Sequence, residues 1–316
     1  MKDLASIPLP ELRSAPRHVK EPEILWHRAD DGVQLGCRIW RGQSGAPVVL
    51  YLHGIEGHSQ WFENSASALN EKGVTVYAPD RRGAGMNPRD RGHLGSYKTY
   101  LADIYKLLGL ISVDHPGHAV VVWGHCWGAK AAALVCRNAD EKTRLKEDGV
   151  AQGYPVSGLV LSCPAIYTKV DFDMKTKLTI AFNHFMGDRR ALRKFDIPVK
   201  STMFTDNPTY LGYIEKDPMR IREATSTFFF ESFMLSQLSQ KAASKISLPT
   251  LILQGGSDQI VDIPKVEAWL SRTSSADKSM RIFPEAHHSI EFDETWFKEY
   301  IHLVSGWIQA RSPVIV

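Results

Sequence analysis

Short apolar runs alternate with longer helix-forming segments along most of this 316-residue chain. Each run is rich in β-branched residues and is followed by turn residues; the runs are 48–53, 74–79, 119–124, 158–162, 250–254 and 279–283. They are continuously apolar and lack polar alternation, which is typical of strands buried on both faces of a sheet that helices cover. The pattern therefore predicts an α/β fold with a mostly parallel, doubly wound sheet.

The beginning of the chain follows a different pattern. Residues 23–42 read EILWHRADDGVQLGCRIWRG, which predicts a β-hairpin with its turn at Asp31-Gly32 and an antiparallel start to the sheet. Residues 1–25 contain four prolines and lack the basic-then-apolar order of a signal peptide. We expect these residues to form an extended N-terminal arm.

A long interruption separates the fourth and fifth apolar runs. Residues 166–240 show no strand pattern, and their sequence is helical and aromatic, as in KLTIAFNHFMG and TSTFFFESFMLSQL. Connections within βα units are usually about 2–6 residues long, so a segment of this length is more typical of an inserted domain than of a loop. We therefore predict a helical cap over 166–240, inserted into a core formed by 26–165 and 241–316.

Composition narrows the function classes. The chain has 38 Lys and Arg against 35 Asp and Glu, and a net charge of +3 is too small to favour nucleic acid or an anionic membrane surface. The four cysteines form no CxxC pair, so we expect no metal site, no disulfide framework and a reduced, cytoplasmic setting. No apolar stretch approaches the ~20 residues of a membrane span. No sequence pattern indicates a cofactor.

The third apolar run leads into Gly124-His125-Cys126-Trp127-Gly128, which has the spacing of a nucleophile elbow with cysteine at its centre. Glycines two positions to either side permit a tight strand-to-helix turn that exposes the central side chain. The helix that follows directs backbone N–H groups at Cys126 and favours its thiolate form. The motif alone leaves a second interpretation open, in which Cys126 is a small apolar residue in an ordinary turn.

Two later strand ends supply a candidate acid and a candidate base. Asp258 follows the glycine-rich turn after the fifth run, and His288 follows the sixth run. Reactive groups of open α/β sheets gather beyond the carboxyl ends of strands, and Cys126, Asp258 and His288 occur in the order nucleophile, acid, base. Asp262 is a rival acid, but the Ile-Pro that follows it is more typical of a helix N-cap.

The first apolar run ends in HGIEGHSQW, residues 53–61, which supplies a candidate oxyanion hole. Gly54 permits a backbone conformation that turns an N–H group toward a developing negative charge. We assign the oxyanion hole to the backbone N–H groups of Ile55 and Trp127. His53 is interpreted as a residue that braces this loop by a hydrogen bond.

Taken in order and spacing, these motifs are similar to those of one superfamily. The segments YLHGIEGHSQWFENSASAL, VYAPDRRGAGMN, GHCWGAKAA, TLILQGGSDQIVD and FPEAHHS resemble the α/β-hydrolases, and most closely their monoacylglycerol lipase and lysophospholipase branch. The resemblance covers about 26–308 and implies an α/β-hydrolase fold. It also implies that Cys126 is the nucleophile, Asp258 the orienting acid and His288 the base. His287 stands where the family usually has another residue, so we expect at most a supporting role for it.

The cysteine departs from the lipase branch, which uses serine, and is similar to the cysteine of dienelactone hydrolases and polyhydroxyalkanoate synthases. A thiol paired with histidine is a strong nucleophile and forms a thioester that water, amines, alcohols or carbon nucleophiles attack. A thiolate also leaves more readily than a plain alkoxide. Thioesters, enol lactones and aryl esters therefore suit Cys126 better than unactivated esters, and we expect a small-molecule acyl substrate, either free or carrier-bound.

Four interpretations of the whole site follow. The primary hypothesis is a hydrolase that cleaves an ester or thioester through an acyl-cysteine. An acyltransferase or cyclase, which passes the acyl group to an amine, alcohol or carbon acceptor, is the alternative enzyme. An introduced serine-to-cysteine change and a vestigial site in a ligand-binding protein are also open, although a binding protein has no need of Asp258 and His288 in register. The sequence leaves the oligomeric state undetermined.

Aromatic residues near these motifs predict an apolar pocket. Phe229 and Phe233 of the cap and Trp61 beside the oxyanion loop are the candidate substrate-binding residues. The segment 80–96 also carries four arginines, Arg81, Arg82, Arg89 and Arg91. We expect structural ion pairs from these arginines, with an anionic group of the substrate as the alternative partner.

Overall fold

The computed structural model describes residues 20–137 and 156–312. Within these residues there are ten strands, which are β1 (Glu23–Arg28), β2 (Gln34–Trp40), β3 (Val48–Leu52), β4 (Thr75–Pro79), β5 (Val120–His125), β6 (Val156–Ser162), β7 (Lys194–Asp196), β8 (Glu223–Thr225), β9 (Thr250–Gly255) and β10 (Lys278–Phe283). Eight of these strands form one sheet, in the order β1-β2-β4-β3-β5-β6-β9-β10. The hairpin pairs β1 and β2, and β2 runs antiparallel to β4. The other pairs of the sheet are parallel, which confirms the predicted α/β class.

Helices flank this sheet and connect its strands. They are α1 (Glu63–Glu71), α2 (Tyr97–Asp114), α3 (Gly128–Val135), α4 (Met174–Met186), α5 (Asp188–Ala191), α6 (Ser201–Phe204), α7 (Pro208–Lys216), α8 (Ser226–Ala242), α9 (Ile263–Ser271) and α10 (Phe297–Gln309). The central strands β3 and β5 are buried at every position, whereas the edge strand β10 is mostly exposed. No helix in the described ranges is long and apolar enough to cross a membrane.

Residues 166–240, called the cap segment below, contain α4 to α7 and most of α8. The expectation that no strand occurs there was wrong, because β7 and β8 pair antiparallel within the cap segment. Strands of three residues are too short to display a two-residue periodicity, so the sequence pattern gave no sign of them. The division of the chain into core and cap stays a prediction.

The N-terminal arm predicted over 1–25 falls largely outside the described residues. Its described part begins at Lys20, whose backbone N–H donates to Ser67 Oγ at 2.9 Å and whose carbonyl accepts from Trp40 Nε1 at 2.7 Å. The strand β1 already begins at Glu23. The last residues assigned to the arm therefore belong to the sheet, where they pair with β2.

The turn from β5 to α3 depends on close approaches that only glycine permits. A Cβ atom at Gly124 would lie 2.5 Å from the Cα atom of Ala129, in the first turn of α3. A Cβ atom at Gly128 would lie 2.2 Å from the carbonyl oxygen of Leu52, at the end of β3. Backbone atoms occupy both positions, so neither collision can be relieved by a side-chain rotation. The helix α3 is thereby held directly against the carboxyl ends of β3 and β5.

These contacts predict a large stability effect from one added methyl group. Gly128→Ala should lower the free energy of unfolding by about 1–3 kcal/mol or more, because the backbone must shift to admit the Cβ atom. Gly306→Ala is the matched control, since Gly306 lies inside α10 with no atom within 4 Å of its would-be Cβ. Gly306→Ala should raise the free energy of unfolding by about 0.5–1 kcal/mol, because alanine has a higher helix propensity than glycine. Urea unfolding of both variants measures these changes, and a Gly128→Ala protein as stable as the wild type would contradict the packing argument.

Candidate active site

Cys126 lies at the tip of the turn between β5 and α3, in a backbone conformation that non-glycine residues rarely adopt. Its φ angle is +51°, and its side chain is 2% exposed. The backbone N–H of Cys126 donates to the carbonyl of Ser162 at 3.0 Å, and its carbonyl accepts from the N–H groups of Ala129 and Ala165. These hydrogen bonds hold a strained residue in place, which is typical of a functional side chain set on a strand-to-helix turn.

His288 and Asp258 form a buried hydrogen-bonded pair at the ends of β10 and β9. His288 Nδ1 lies 2.8 Å from Asp258 Oδ2, and both side chains are inaccessible to solvent. Asp258 Oδ1 accepts from the N–H groups of Ile260 at 2.7 Å and Val261 at 3.1 Å, and Gln254 Nε2 donates to Oδ2 at 2.9 Å. The carboxylate is therefore fixed by the turn that carries it and orients the imidazole.

The pKa values of this pair move apart. Burial by itself lowers the pKa of His288, but the charges of Asp258 and Cys126 outweigh burial and raise this pKa well above its usual range. Burial raises the pKa of Asp258, and here the attraction of His288 and the backbone hydrogen bonds outweigh it and hold the pKa well below the ordinary value. The carboxylate is thus ionised and favours the protonated imidazole.

The second ring nitrogen of His288 faces the thiol. His288 Nε2 is buried and has no hydrogen-bond partner among the described residues, and the neighbouring Cys126 contributes to the raised pKa of the imidazole. Nε2 is therefore the one polar atom of the pair that is still available to a neighbouring group. The structure brings Cys126, His288 and Asp258 together in the order that a proton relay requires.

Two residues that the sequence analysis did not select also contact this pair. Cys163 lies with Asp258 and His288 in a cluster whose nearest ligand-type atoms are within 4.8 Å of one another. Burial, followed by the charge of Asp258, raises the pKa of the Cys163 thiol well above its usual value, so this sulfur stays protonated. The ring of His125 lies 5.3 Å from that of His288, and burial lowers the pKa of His125 to about 3. A neutral His125 adds no charge against the His288 imidazolium.

Hydrogen bonds from Arg81 hold the loop of residues 53–61, which carries the candidate oxyanion-hole residue Ile55 and is called the oxyanion loop. The backbone N–H of Arg81 donates to His53 Nε2 at 3.0 Å, and its guanidinium donates to the carbonyls of Gly54 and Ile55. Burial, and then the charge of Arg81, lowers the pKa of His53 to about 3, so this imidazole is neutral and its Nδ1 donates to the Gly54 carbonyl at 2.9 Å. A Cβ atom at Gly54 would lie 3.6 Å from Cys126 Sγ, which shows how closely the loop passes the thiol.

Three buried polar contacts fasten the same loop to the cap segment. His58 Nε2 lies 2.8 Å from Asp217 Oδ2, which also accepts from Trp61 Nε1 at 2.6 Å. Arg220 pairs with Glu56 at 2.7 Å, and both side chains are almost fully buried. We call these three contacts the loop clamp. They fix the oxyanion loop against residues 217–220.

A cavity of about 590 Å³ opens beside Cys126, between the core and the cap segment. The predicted residues Ile55, Trp127, Phe229 and Phe233 line this cavity. The structure does not place Trp61 there: its indole packs against Phe204 and Phe292 in a separate apolar cluster, and its N–H is held in the loop clamp. Trp61 therefore braces the loop from outside the cavity.

Lys130 is a cavity residue that the sequence analysis missed. Lys130 lies in the first turn of α3, four residues after Cys126, and its side chain is buried. Its Nζ donates to Ser232 Oγ at 3.4 Å. Burial lowers the pKa of Lys130 to about 8, although Cys126 acts in the opposite direction. The signal in the sequence was a single charge inside the otherwise apolar helix GAKAAALV, four residues from the elbow cysteine.

The remaining candidates have partners outside the cavity. Asp262 caps α9 by accepting from the Lys265 N–H at 3.3 Å, as its sequence context predicts. His287 Nδ1 lies 3.7 Å from the exposed Asp206. Arg82 pairs with Asp103 and Asp31, the structural role expected for that loop. Arg91 donates to the carbonyls of Gly85 and Met219.

The paired shifts of His288 and Asp258 predict how stability depends on pH. In the wild type the folded-state pKa of His288 is raised, so its contribution is fully present below the unfolded value of about 6.5 and is lost as pH rises through the folded value. In Asp258→Asn the buried imidazole has no carboxylate partner, so protonation of His288 no longer stabilises the folded state. The difference in unfolding free energy between wild type and variant should therefore be largest near about pH 5 and shrink as pH rises.

Denaturant unfolding of both proteins at a series of pH values measures this difference. Asp262→Asn is the matched control, because Asn caps a helix about as well as Asp and Asp262 has no histidine partner. A difference that is constant with pH, or one that grows toward alkaline pH, would contradict the proposed coupling.

Comparison with known proteins identifies the family and the fold of this chain. Residues 43–295 match the Hydrolase_4 family, described as serine aminopeptidase S33. Human monoglyceride lipase is 26% identical over 290 residues, which cover 89% of this chain and 89% of the lipase. A soluble variant of monoglyceride lipase from Saccharomyces cerevisiae, solved with a substrate analogue, superposes with a TM-score of 0.76 at 20% identity and covers 94% of this chain and 98% of its own. The monoacylglycerol lipase of Paleococcus ferrophilus gives a TM-score of 0.74 at 20% identity, covering 88% of this chain and 99% of its own.

The family match spans most of the chain and includes the elbow and the strand end that carries His288. The structural neighbours share the sheet and its flanking helices. The chain therefore belongs to the Hydrolase_4 family and is an α/β-hydrolase of the monoglyceride lipase branch.

Proposed function

We propose that this protein is an ester or thioester hydrolase that works through Cys126, His288 and Asp258 and forms an acyl-cysteine intermediate. The family and the monoglyceride lipase relatives support an ester hydrolase of the α/β-hydrolase type. The observation that carries the finer proposal is the available Nε2 of His288, which is buried beside a thiol held at the elbow.

Each chemical step has a group to perform it. The proton of the Cys126 thiol passes to His288 Nε2, a transfer that the raised pKa of His288 favours, and gives a thiolate beside an imidazolium. The thiolate sulfur then forms a bond to the carbonyl carbon of the substrate. The N–H groups of Ile55 and Trp127 stabilise the oxyanion, and Asp258 stabilises the imidazolium. The carbonyl then re-forms, the bond to the leaving group breaks, and His288 returns the proton to that group. Water, deprotonated by His288, attacks the thioester, releases the acid and restores the thiol.

The thiol restricts the substrates that this site can use. In the tetrahedral adduct the sulfur and the leaving group compete for expulsion, and a thiolate departs more easily than a plain alkoxide. Substrates with stable leaving groups, such as thioesters, aryl esters and enol lactones, therefore form the acyl-cysteine. The tetrahedral adduct of an unactivated ester mostly expels the sulfur and returns to thiol and ester. The proposed substrate class thus differs from the glycerol esters named for the relatives.

Exposure to an activated aryl ester tests the intermediate directly. Rapid mixing with 4-nitrophenyl acetate, followed by acid quenching, should give an acetylated protein whose modification maps to Cys126 by mass spectrometry. Cys126→Ala should give no adduct and lose essentially all esterase activity, because it removes the sulfur that forms the acyl bond, while burial keeps the neighbouring Cys163 thiol protonated. Cys136→Ala, a buried cysteine of the core at the end of α3, is the matched control and should react like the wild type.

The same experiment separates the alternatives. Full esterase activity in Cys126→Ala, with no adduct on the wild type, would overturn the cysteine mechanism. An unreactive thiol with no turnover would favour the ligand-binding interpretation. Rapid acylation with little free acid in the presence of an amine or alcohol would favour an acyltransferase.

A further inference from the structure

Lys130 carries a buried ammonium group, and no acidic residue in 20–137 or 156–312 forms an ion pair with it. Its side chain is 7% exposed and lines the cavity beside Cys126. Its one hydrogen bond in the described ranges is the 3.4 Å contact to Ser232 Oγ, an oxygen that already accepts from Trp127 Nε1 at 2.8 Å. An ammonium buried without a counter-charge is costly, and the usual compensation is a carboxylate or phosphate nearby.

The nearest acid of the cavity does not supply that compensation. Asp171 is exposed, and its carboxylate is bound by Lys177 and by the N–H of Phe172. It influences the pKa of Lys130 only from a distance, behind burial and Cys126. The ammonium therefore faces the cavity with capacity for a further partner.

Apolar side chains form much of the cavity wall, among them Phe229, Phe230, Leu178 and Ile180. Polar residues of α8, namely Ser232, Ser236 and Gln237, also line it. Two further lysines reach the cavity, but Lys177 pairs with Asp171 and Lys265 pairs with Asp262. A plain hydrocarbon chain would fit the aromatic surface but would leave the ammonium facing methylene groups, with its hydration removed. An acyl chain that carries an anion satisfies both surfaces at once, because its methylene groups contact the rings and its charge pairs with Nζ.

We propose that Lys130 binds a carboxylate on the acyl chain of the substrate, which makes the preferred substrate a dicarboxylic acid activated at one end. This inference rests on the proposed function, because the acyl part is the part that becomes bonded to Cys126. Lys130 lies in the first turn of α3, four residues after Cys126, and both residues line the same cavity. We therefore expect a short methylene chain between the carboxylate and the reacting carbonyl.

A second role for the same charge would be to stabilise the Cys126 thiolate. The two roles predict different kinetics. A group that acts on the thiolate changes the reactions of all esters by the same factor, whereas a group that binds the acyl carboxylate changes only the preference for anionic over neutral esters. The ratio of two kcat/KM values is therefore the decisive quantity.

Matched aryl esters test the proposal. Mono-4-nitrophenyl esters of the dicarboxylic acids from succinic to suberic acid are compared with 4-nitrophenyl esters of the monocarboxylic acids of equal chain length. The wild type should prefer at least one anionic ester over its neutral partner. Lys130→Met should reduce that ratio about tenfold to a hundredfold, mainly through KM, because a charged hydrogen bond is lost. Lys130→Arg should restore much of the ratio, and Lys298→Met, an exposed lysine of α10, is the control for loss of one charge.

Binding to Cys126→Ala keeps the proposal testable without turnover. Titration of this variant with the preferred hemiester, followed by calorimetry, should give an affinity that falls by the same factor in the Cys126→Ala/Lys130→Met double variant. No preference for any anionic ester, or an equal loss for anionic and neutral esters in Lys130→Met, would overturn the proposal. Failure of the proposed function is a separate result, namely no acyl adduct on Cys126 together with normal hemiester binding.

Discussion

The contact between the start of α3 and the ends of β3 and β5 is the constraint on which the site depends. Without side chains at Gly124 and Gly128, α3 lies against the backbone of two strands. That proximity forces Cys126 into a left-handed conformation and sets its sulfur beside Gly54. The thiol, the oxyanion loop and the helix N-terminus therefore come from one packing arrangement.

The attraction between Asp258 and His288 gives this pair its opposite pKa shifts, against the effect of burial. Asp258 is surrounded by hydrogen-bond donors that stabilise its charge, and that charge raises the pKa of His288. The neighbouring Cys163 and His125 are also buried, but burial holds both in their neutral forms. Because the Asp258–His288 pair is buried, its electrostatic interaction is stronger than that of a pair at the surface.

The sequence predicted the parts of the molecule that local patterns determine. Buried strands, the elbow glycines and the N-cap at Asp262 all depend on residues close together in the chain. The position of Trp61 could not be predicted in this way, because its indole is bound by Asp217, a residue 156 positions away. The burial of Lys130 likewise depends on the packing of α8 over α3, which no pattern within α3 reveals.

The loop clamp also limits how the cap segment can move to admit a substrate. Separating Arg220 from Glu56 would leave a buried guanidinium unpaired, and breaking such a buried pair typically costs about 3–5 kcal/mol. Separating His58 and Trp61 from Asp217 would leave a buried carboxylate without its hydrogen bonds. Residues 217–220 should therefore stay against the oxyanion loop when other parts of the cap segment open locally. The helix α4, which buries only Ile180 and Asn183, lacks such an anchor and is expected to open at a lower free-energy cost.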